Sequence, residues 1–296
     1  MAVLLLCGCG QKSETTAAAP AQAVTAPAAQ SGMARPVNTG VTPEQFGAKG
    51  DGIADDLQAL QAAMQQASAS GRPLELTAGA VYRFSSCLGL PSGLTIRGNG
   101  AVLLSDIQYP DLREDRVAVE LMKDSDGDRA HDVRLENVTF RAADSCQANY
   151  MLRVMLARNV EFVGCTFDCE PNEWGRCAAD LYGGNENIRF EGCVFRQMTS
   201  DASGGIWVRN WTDRVESRNI RFQNCEFYKS GADELLAVWG WGGAVRDVVL
   251  SGCSFYETQT QEALDAGHRP VWFITLGQSG TTDVRMEDCT VRAEYC

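Results

Sequence analysis

The chain has 296 residues, a formal net charge of −12 and 12 cysteines. A strongly acidic protein without a basic stripe has nothing to neutralise phosphate groups, which excludes nucleic acid as a partner. The length predicts one large domain, residues 41–296, once the N-terminal segment is set aside. The cysteine count would suggest disulfides in an exported protein.

The N-terminal segment begins with a short apolar run that ends in cysteines, MAVLLLCGCG. The run is too short to span a bilayer. Leu6-Cys7-Gly8-Cys9 resembles the bacterial lipobox, in which a small residue precedes a lipidated cysteine. The resemblance implies a lipoprotein signal over residues 1–9, with Cys9 as the acylated residue and Cys7 as the alternative. Residues 10–40 are rich in Ala and Pro and predict a flexible tether, so we expect an exported protein held at the outer membrane or in the periplasm only by its lipid.

A glycine-rich turn, GAKGDGIADD from Gly47, comes next and leads into a helical pattern. Leu57, Leu60 and Met64 fall at helix spacing. The pattern predicts a helix near residues 55–69, with Asp55 or Asp56 as its cap.

A nine-residue phrase recurs in the second half of the chain, first as DVRLENVTF. Its copies begin at Asp132, Asn159, Asn187, Asn219, Asp247 and Asp283. The second, fourth, seventh and ninth positions are apolar, which is strand alternation with one buried face. The sixth position holds Asn, Gly or Asp, residue types that tolerate a left-handed backbone, so a corner is expected there. A further strand precedes the phrase, as in MLRVML and GIWVRN.

Three short strands per repeat, with copies 27 to 36 residues apart, predict coils that stack with parallel strands about 4.8 Å apart. The expected fold is an all-β, right-handed parallel β-helix, a solenoid of about seven coils. Because the end of a solenoid exposes strand edges, the short N-terminal helix is expected to cap the first coil.

Five cysteines share the seventh position of the phrase: Cys165, Cys193, Cys225, Cys253 and Cys289. They alternate with apolar core positions, so we expect buried thiols rather than a metal or redox site. Off this ladder, Cys169 and Cys177 flank one loop and are the best candidates for a disulfide.

The stretch FGAKGDGIADDLQALQAAM, from Phe46, resembles the opening FGAxGDGxTDDTxAIQxAI of the pectate-lyase-like β-helix superfamily. That superfamily includes rhamnogalacturonase and epimerase-like domains and many phage tailspikes, and the resemblance continues through the coils to the C-terminus. It implies a β-helix with a glycan along the outer face of one sheet. Hydrolases, lyases, epimerases and non-catalytic binders share the fold, so the resemblance leaves the reaction open.

Alternation along the strand before each phrase sends aromatic and charged side chains outward. The expected substrate-binding residues are Arg153, Tyr182, Trp207, Arg209 and Trp239. Trp, Tyr and Arg are enriched at binding surfaces and suit sugar rings and hydroxyls. The alternative is that some of these Trp side chains are buried under loops.

Two carboxylates that flank a glycosidic bond supply the acid and the base of its hydrolysis. The candidates lie at or just before outward strands: Asp180, Asp201, Asp233 and Glu234. The segment GHRPVW resembles an element of the polygalacturonases, which implies a helper role for His268. A lyase would instead use Arg153 or Arg209 as its base and would require Ca²⁺. No metal site or other cofactor is predicted.

The sequence therefore predicts an envelope protein that binds, and cleaves or modifies, a polysaccharide as a hydrolase or lyase. Two alternatives are a non-catalytic glycan-binding adhesin or tailspike-like module and a structural surface lipoprotein. After the last phrase, Val284, Met286 and Val291 lie at an open end of the solenoid. This predicts either a truncated sequence or self-association through the C-terminal end.

Overall fold

The architecture is a stack of parallel strands accompanied by one helix. The computed structural model describes residues 40–108, 116–121, 129–169, 177–198, 205–210, 215–229, 234–240, 243–257, 272–277 and 280–292. In these ranges the α-helix spans Leu57–Ser70 and a 3-10 turn spans Pro43–Phe46. No helix among them is long and apolar enough to cross a membrane.

The described strands form three parallel sheets of nine, seven and eight strands. The nine-stranded sheet contains Asp51–Asp55, Val81–Phe84, Val102–Ser105, Thr139–Ala142, Thr166–Asp168, Val194–Met198, Glu226–Lys229, Ser254–Glu257 and Thr290–Arg292. The seven-stranded sheet contains Leu88–Gly89, Val117–Leu121, Tyr150–Met155, Cys177–Tyr182, Ile206–Asn210, Glu234–Gly240 and Trp272–Gly277. The eight-stranded sheet contains Leu74–Glu75, Thr95–Arg97, Ala130–Glu136, Ala157–Val163, Glu186–Glu191, Ser217–Gln223, Val245–Ser251 and Thr281–Glu287.

Each strand pairs with the equivalent strands of the coils above and below it. Val160, for example, is in register with Val133 on one side and Ile188 on the other. Three strands per coil and pairing only between neighbouring coils confirm the predicted parallel β-helix of about seven coils.

The interior is built from columns of identical side chains. The phrase's ninth position supplies a stack of buried rings, Phe140, Phe167, Phe195, Phe227 and Phe255, with successive centroids 4.6–5.1 Å apart. A second stack lies on the eight-stranded sheet and contains Phe162, Phe190 and Phe222. Such pairs contribute roughly 0.5–1.5 kcal/mol each beyond the area they bury. The repeat therefore specifies the core one coil at a time.

The predicted cysteine ladder is part of this core. Cys165, Cys193, Cys225 and Cys253 are completely buried, and Cys289 is half-buried. The Cys193 thiol donates to the carbonyl of Phe162 in the preceding coil at 3.3 Å. Hydrogen bonding to Cys225, together with burial, raises the pKa of the Cys253 thiol. The ladder residues therefore serve as small core side chains, as predicted.

The expected disulfide between Cys169 and Cys177 is a prediction that the structure corrects. Both residues are buried thiols. Cys169 follows the strand Thr166–Asp168, whereas Cys177 begins a strand of the seven-stranded sheet. Burial, with Asp180 nearby, raises the pKa of the Cys177 thiol well above its ordinary value, so this side chain is neutral.

The glycine-rich turn places the helix against the first coil. Gly47 has a φ of 96°, a conformation that a side chain would strain. The Asp56 carboxylate accepts hydrogen bonds from the amides of Lys49 and Gly50 at 2.7 and 3.0 Å. Asp56 thus ties the turn together, while the Asp55 carboxylate accepts the Leu57 amide at the start of the helix.

The helix packs its apolar face onto the end of the solenoid. Leu60, Ala63 and Met64 are fully buried and belong to the same core cluster as the strands. At the other end, Val284, Met286 and Val291 are partly buried against that core. Self-association through the latter end remains a prediction.

The corners of the coil use the left-handed backbone, as the sixth position predicted. Asn137, Gly164, Gly192, Asn224, Gly252 and Asp288 all have φ between 52° and 63°. The first position of the phrase has the same conformation, which the sequence analysis did not predict: Asp132, Asn159, Asn187, Asn219, Asp247 and Asp283 have φ between 54° and 57°. The signal was present, since every copy begins with Asn or Asp.

Candidate functional site

The outer face of the seven-stranded sheet carries the residues that the sequence analysis placed in a binding groove. The inward column is apolar and fully buried: Val154, Leu181, Val208 and Val238. The residues on either side of it therefore point outward. They form two columns along the solenoid axis. The central column contains Glu120, Arg153, Asp180, Trp207, Ala237 and Thr275. The flanking column contains Met155, Tyr182, Arg209, Trp239 and Gly277.

Three charged side chains from successive coils meet in one ion-paired cluster, here called the Asp180 cluster: Arg153, Asp180 and Arg209. The Arg209 Nε donates to Asp180 Oδ1 at 2.8 Å, and its terminal nitrogen donates to Oδ2 at 2.8 Å. From the other side, Arg153 donates to Oδ2 from Nε and a terminal nitrogen at 3.1 and 3.0 Å. Asp180 has no exposed surface, and each arginine is only 8% exposed.

Aromatic rings cover the guanidinium groups of this cluster. The Arg153 guanidinium carbon lies 4.5 Å from the centroid of the Tyr150 ring. That of Arg209 lies 4.3 Å from Trp207 and 5.0 Å from Tyr182. Burial alone would lower the pKa of Arg209, but its hydrogen bonds to Asp180 outweigh burial and raise that pKa. The cluster is therefore a permanently charged, internally satisfied unit.

Trp239 lies as a platform beside the cluster. Its indole occupies the space above Gly277 of the next coil, because a Cβ at that glycine would come within 2.9 Å of the ring. The centroids of Trp207 and Trp239 are 5.9 Å apart with a tilt of 31°. Trp207 is 8% exposed, while Trp239 and Tyr182 are half-buried. Part of the aromatic surface thus faces outward, and Trp207 is the member that is covered.

Two buried polar atoms of the central column lack a hydrogen-bond partner: Nε1 of Trp207 and Oγ1 of Thr275. They stand two coils apart, on either side of Ala237. An unsatisfied buried donor costs roughly 1–3 kcal/mol. An acceptor that reached either group would recover part of that free energy.

Tyr150 and Cys177 also lie on this face, and the sequence analysis missed both. Strict alternation from Leu152 would turn Tyr150 inward, but Met151 and Leu152 are both in the core. Tyr150 and Cys177 instead pack with Trp207 in a small separate cluster. Adjacent apolar residues recur at this point of other strands, as in Ala178-Ala179 and Leu235-Leu236, which was the available signal.

The catalytic candidates are not brought together in the described structure. Asp180 is on the predicted face, but its oxygens are held by two arginines and none of it is exposed. Glu234 begins a strand and pairs with Trp272, and its side chain lies outside the described part of the chain. Asp201, Asp233 and His268 also lie outside the described residues. The expectation that Asp180 is exposed to a substrate is therefore wrong, because neighbouring coils supply its counter-ions.

The eight-stranded sheet carries a different outer face. Arg134, Glu161 and Arg189 are in register and ion-paired, and their side chains are 36–39% exposed. Beside them, the Asn159 amide donates to Asp132 at 2.8 Å and the Asn187 amide donates to Asn159 at 2.9 Å. The groove between these two ladders has a volume of about 540 Å³.

In the described ranges, no three His, Cys, Asp or Glu side chains lie close enough together to hold a metal ion.

Comparison with known families now places this architecture. Residues 41–260 match the family described as Rhamnogalacturonase A/epimerase, pectate lyase-like. The chain belongs to this family. The match includes the helix, the repeated phrase and the face that holds the Asp180 cluster. No curated protein matches the chain.

Solved structures show the same fold at low sequence identity. ORF18 of Geobacillus virus E2 is similar with a TM-score of 0.65 and 16% identity, covering 84% of this chain and 48% of that protein. This family member thus spans about half the length of the viral protein. PfbA, a surface adhesin of Streptococcus pneumoniae, gives a TM-score of 0.48, 13% identity and coverages of 86% and 77%. A mutant tailspike protein of E. coli bacteriophage HK620, in complex with a hexasaccharide, gives 0.46, 14%, 85% and 57%.

Proposed function

We propose that this protein binds a polysaccharide along the outer face of the seven-stranded sheet. One observation carries the proposal: the half-buried indole of Trp239 lies over Gly277, beside Tyr182 and the Asp180 cluster. Aromatic side chains that expose part of a ring are suited to stacking on sugars, and Trp and Tyr are typical anchors of binding surfaces. Membership of a family named for a rhamnogalacturonase and a pectate lyase supports a polysaccharide as the ligand.

Binding without catalysis is the function that the described geometry supports best. A general acid or base must come within hydrogen-bond reach of the group that it protonates or deprotonates. Asp180 is fully buried and held by Arg153 and Arg209, so it is better placed to position those arginines and the rings on them. Cleavage as a hydrolase or lyase remains a prediction that rests on Asp201, Asp233, Glu234 and His268.

A panel of plant, algal and bacterial polysaccharides tests the proposal by affinity electrophoresis, with assays for new reducing ends and for the unsaturated uronate absorbance. We expect retardation by at least one polymer. Trp239→Ala should weaken that binding at least about 10-fold, since truncating an anchor residue costs more than ~1 kcal/mol. Gly277→Ala should weaken it too, because the new methyl group displaces the indole.

Tyr256→Ala is the matched control, since Tyr256 is half-buried on the nine-stranded sheet, where it stacks on Tyr228. It should leave binding unchanged. A Trp239→Ala variant that folds and binds like the wild type would overturn the placement of the site. New reducing ends or absorbance would instead show catalysis.

The envelope location is a separate part of the proposal. It rests on the lipobox resemblance at Cys9 and on the Ala/Pro-rich composition of residues 10–40. A lipid-anchored glycan-binding protein would present the sheet face to polymers at the cell envelope.

A further inference from the structure

We infer that this site selects uncharged polysaccharides and discriminates against polyuronates, an inference that rests on the proposed function. It follows from how the structure uses the two arginines that stand at the centre of the face. An exposed arginine fork is the side chain best shaped to bind a carboxylate, because its N–H groups match the two oxygens. Arg153 and Arg209 would be the obvious receptors for a uronate.

Both forks are already occupied by Asp180. Arg209 makes the two-point contact, with 2.8 Å to each carboxylate oxygen. Arg153 adds two donors to Oδ2 at 3.0 and 3.1 Å. Asp180 thus stands where the carboxylate of a bound uronate would stand, and it is a part of the protein.

The faces of the guanidinium groups are covered as well. Tyr150 lies against Arg153, and Trp207 and Tyr182 lie against Arg209. With edges and faces both in contact, each arginine is only 8% exposed. A ligand carboxylate would have to displace Asp180, and the displaced carboxylate would then be a buried charge without a partner, which costs several kcal/mol.

The remaining charges do not favour an anion either. Along the central and flanking columns the described positive charges, Arg153 and Arg209, are matched by Glu120 and Asp180. The whole chain carries a net charge of −12. A polyanion is therefore repelled at long range and finds no unpaired cation on these columns.

What the face offers instead is neutral. Trp239 and Tyr182 present partly exposed rings. Trp207 Nε1 and Thr275 Oγ1 are donors that lack a partner. Rings and neutral donors suit the C–H faces, hydroxyls and ring oxygens of uncharged sugars.

Polymer pairs that differ only in charge test the inference. One pair is highly methyl-esterified homogalacturonan and the same polymer after enzymatic de-esterification. A second pair is a neutral glucan and its C6-oxidised counterpart, and the polysaccharide panel above is run beside them. Affinity is measured for the wild-type chain at about 20 mM and about 0.5 M salt, where screening lengths differ several-fold.

We expect the neutral polymer of any bound pair to bind at least about 10-fold more tightly than the acidic one. We also expect that affinity to change little with salt. If an acidic polymer binds as tightly as its neutral counterpart or more tightly, the selectivity is wrong while the proposed function stands. If no polymer of the pairs or the panel binds, both are wrong.

A charge-releasing variant tests the mechanism directly. Asp180→Asn removes the internal carboxylate, so it should raise affinity for the acidic polymer at least about 10-fold, and high salt should remove the gain. Asp247→Asn makes the same change in net charge on the eight-stranded sheet and should produce no such gain. Equal behaviour of the two variants, both folded by circular dichroism, would overturn the assigned role of Asp180. If Asp180→Asn does not fold, the wild-type comparison decides.

Discussion

The outer faces of the seven-stranded and eight-stranded sheets use the same chemistry with opposite results. Both place arginines and carboxylates in register on neighbouring coils. On the eight-stranded sheet, the side chains of Arg134, Glu161 and Arg189 remain 36–39% exposed. On the seven-stranded sheet, those of Arg153, Asp180 and Arg209 are 0–10% exposed. Exposed pairs contribute about 0–1 kcal/mol, whereas removing one partner of a buried pair costs about 3–5 kcal/mol.

The two faces also differ in repetition. The eight-stranded sheet repeats arginine along one column, at Arg134, Arg189, Arg221 and Arg285. The central column of the seven-stranded sheet changes residue type at every coil. A repeating ladder supports every coil alike. A cluster that occurs once defines one place along the axis, and this is where we locate the ligand.

Removal of Asp180 should break the comparison most severely. Asp180→Ala leaves two buried guanidinium groups without their common counter-ion, so we expect the free energy of unfolding to fall by about 3–5 kcal/mol. Glu161→Ala, on the exposed face, should lower it by less than about 1 kcal/mol. Denaturant titration of the two variants measures both values. Similar losses would show that burial does not distinguish the two faces.

Removal of one arginine should have a smaller effect, because Asp180 keeps the other. Arg209→Met preserves much of the apolar stem and deletes the two-point hydrogen bond, which predicts a loss of about 1.5–3 kcal/mol. Arg221→Met is the matched control, since Arg221 pairs with Asp247 on the exposed face; we expect a loss below about 1 kcal/mol. The same titrations apply, and a larger loss for Arg221→Met would reverse the interpretation.

The smallest effect concerns acid on the exposed face. The hydrogen bond from Arg221 lowers the pKa of Asp247 below its ordinary value of 3.8. A lowered pKa in the folded state adds stability above the ordinary value, and this stability is lost as the pH falls through the folded pKa. The wild type should therefore exceed Asp247→Asn in stability by a fraction of about 1 kcal/mol at pH 7.

That difference should shrink as the pH is lowered from 5 to 3. Unfolding curves at several pH values in this range test the prediction. A difference between the wild type and Asp247→Asn that is independent of pH would contradict the assigned ion pair.

Most of the fold could be predicted because it depends on residue types that recur. The alternation within each phrase predicted that Phe167, Phe195 and Cys193 face the core, and all three are buried. The Asn or Gly at the sixth position predicted the corner, since few residue types adopt positive φ without strain. The first-position corner was equally readable, but it lay at the edge of a strand pattern and was assigned to the strand.

The candidate site was predictable only in its membership. Alternation indicated that Arg153, Asp180, Tyr182, Trp207, Arg209 and Trp239 share one face, which the register of the strands bears out. It wrongly indicated that Asp180 would be open to a substrate. It also placed Tyr150 inside, because two adjacent core residues, Met151 and Leu152, interrupt the alternation.

The sequence by itself determined which side of each strand is buried and where each coil turns, because both depend on residues adjacent in the chain. Only the tertiary structure decided which outward residues meet. Arg153, Asp180 and Arg209 come from three coils, and their contact depends on how the intervening loops set the register between strands. That register turned a series of apparently exposed charges into one buried ion-paired cluster and left Trp239, lying over Gly277, as the partly open platform beside it.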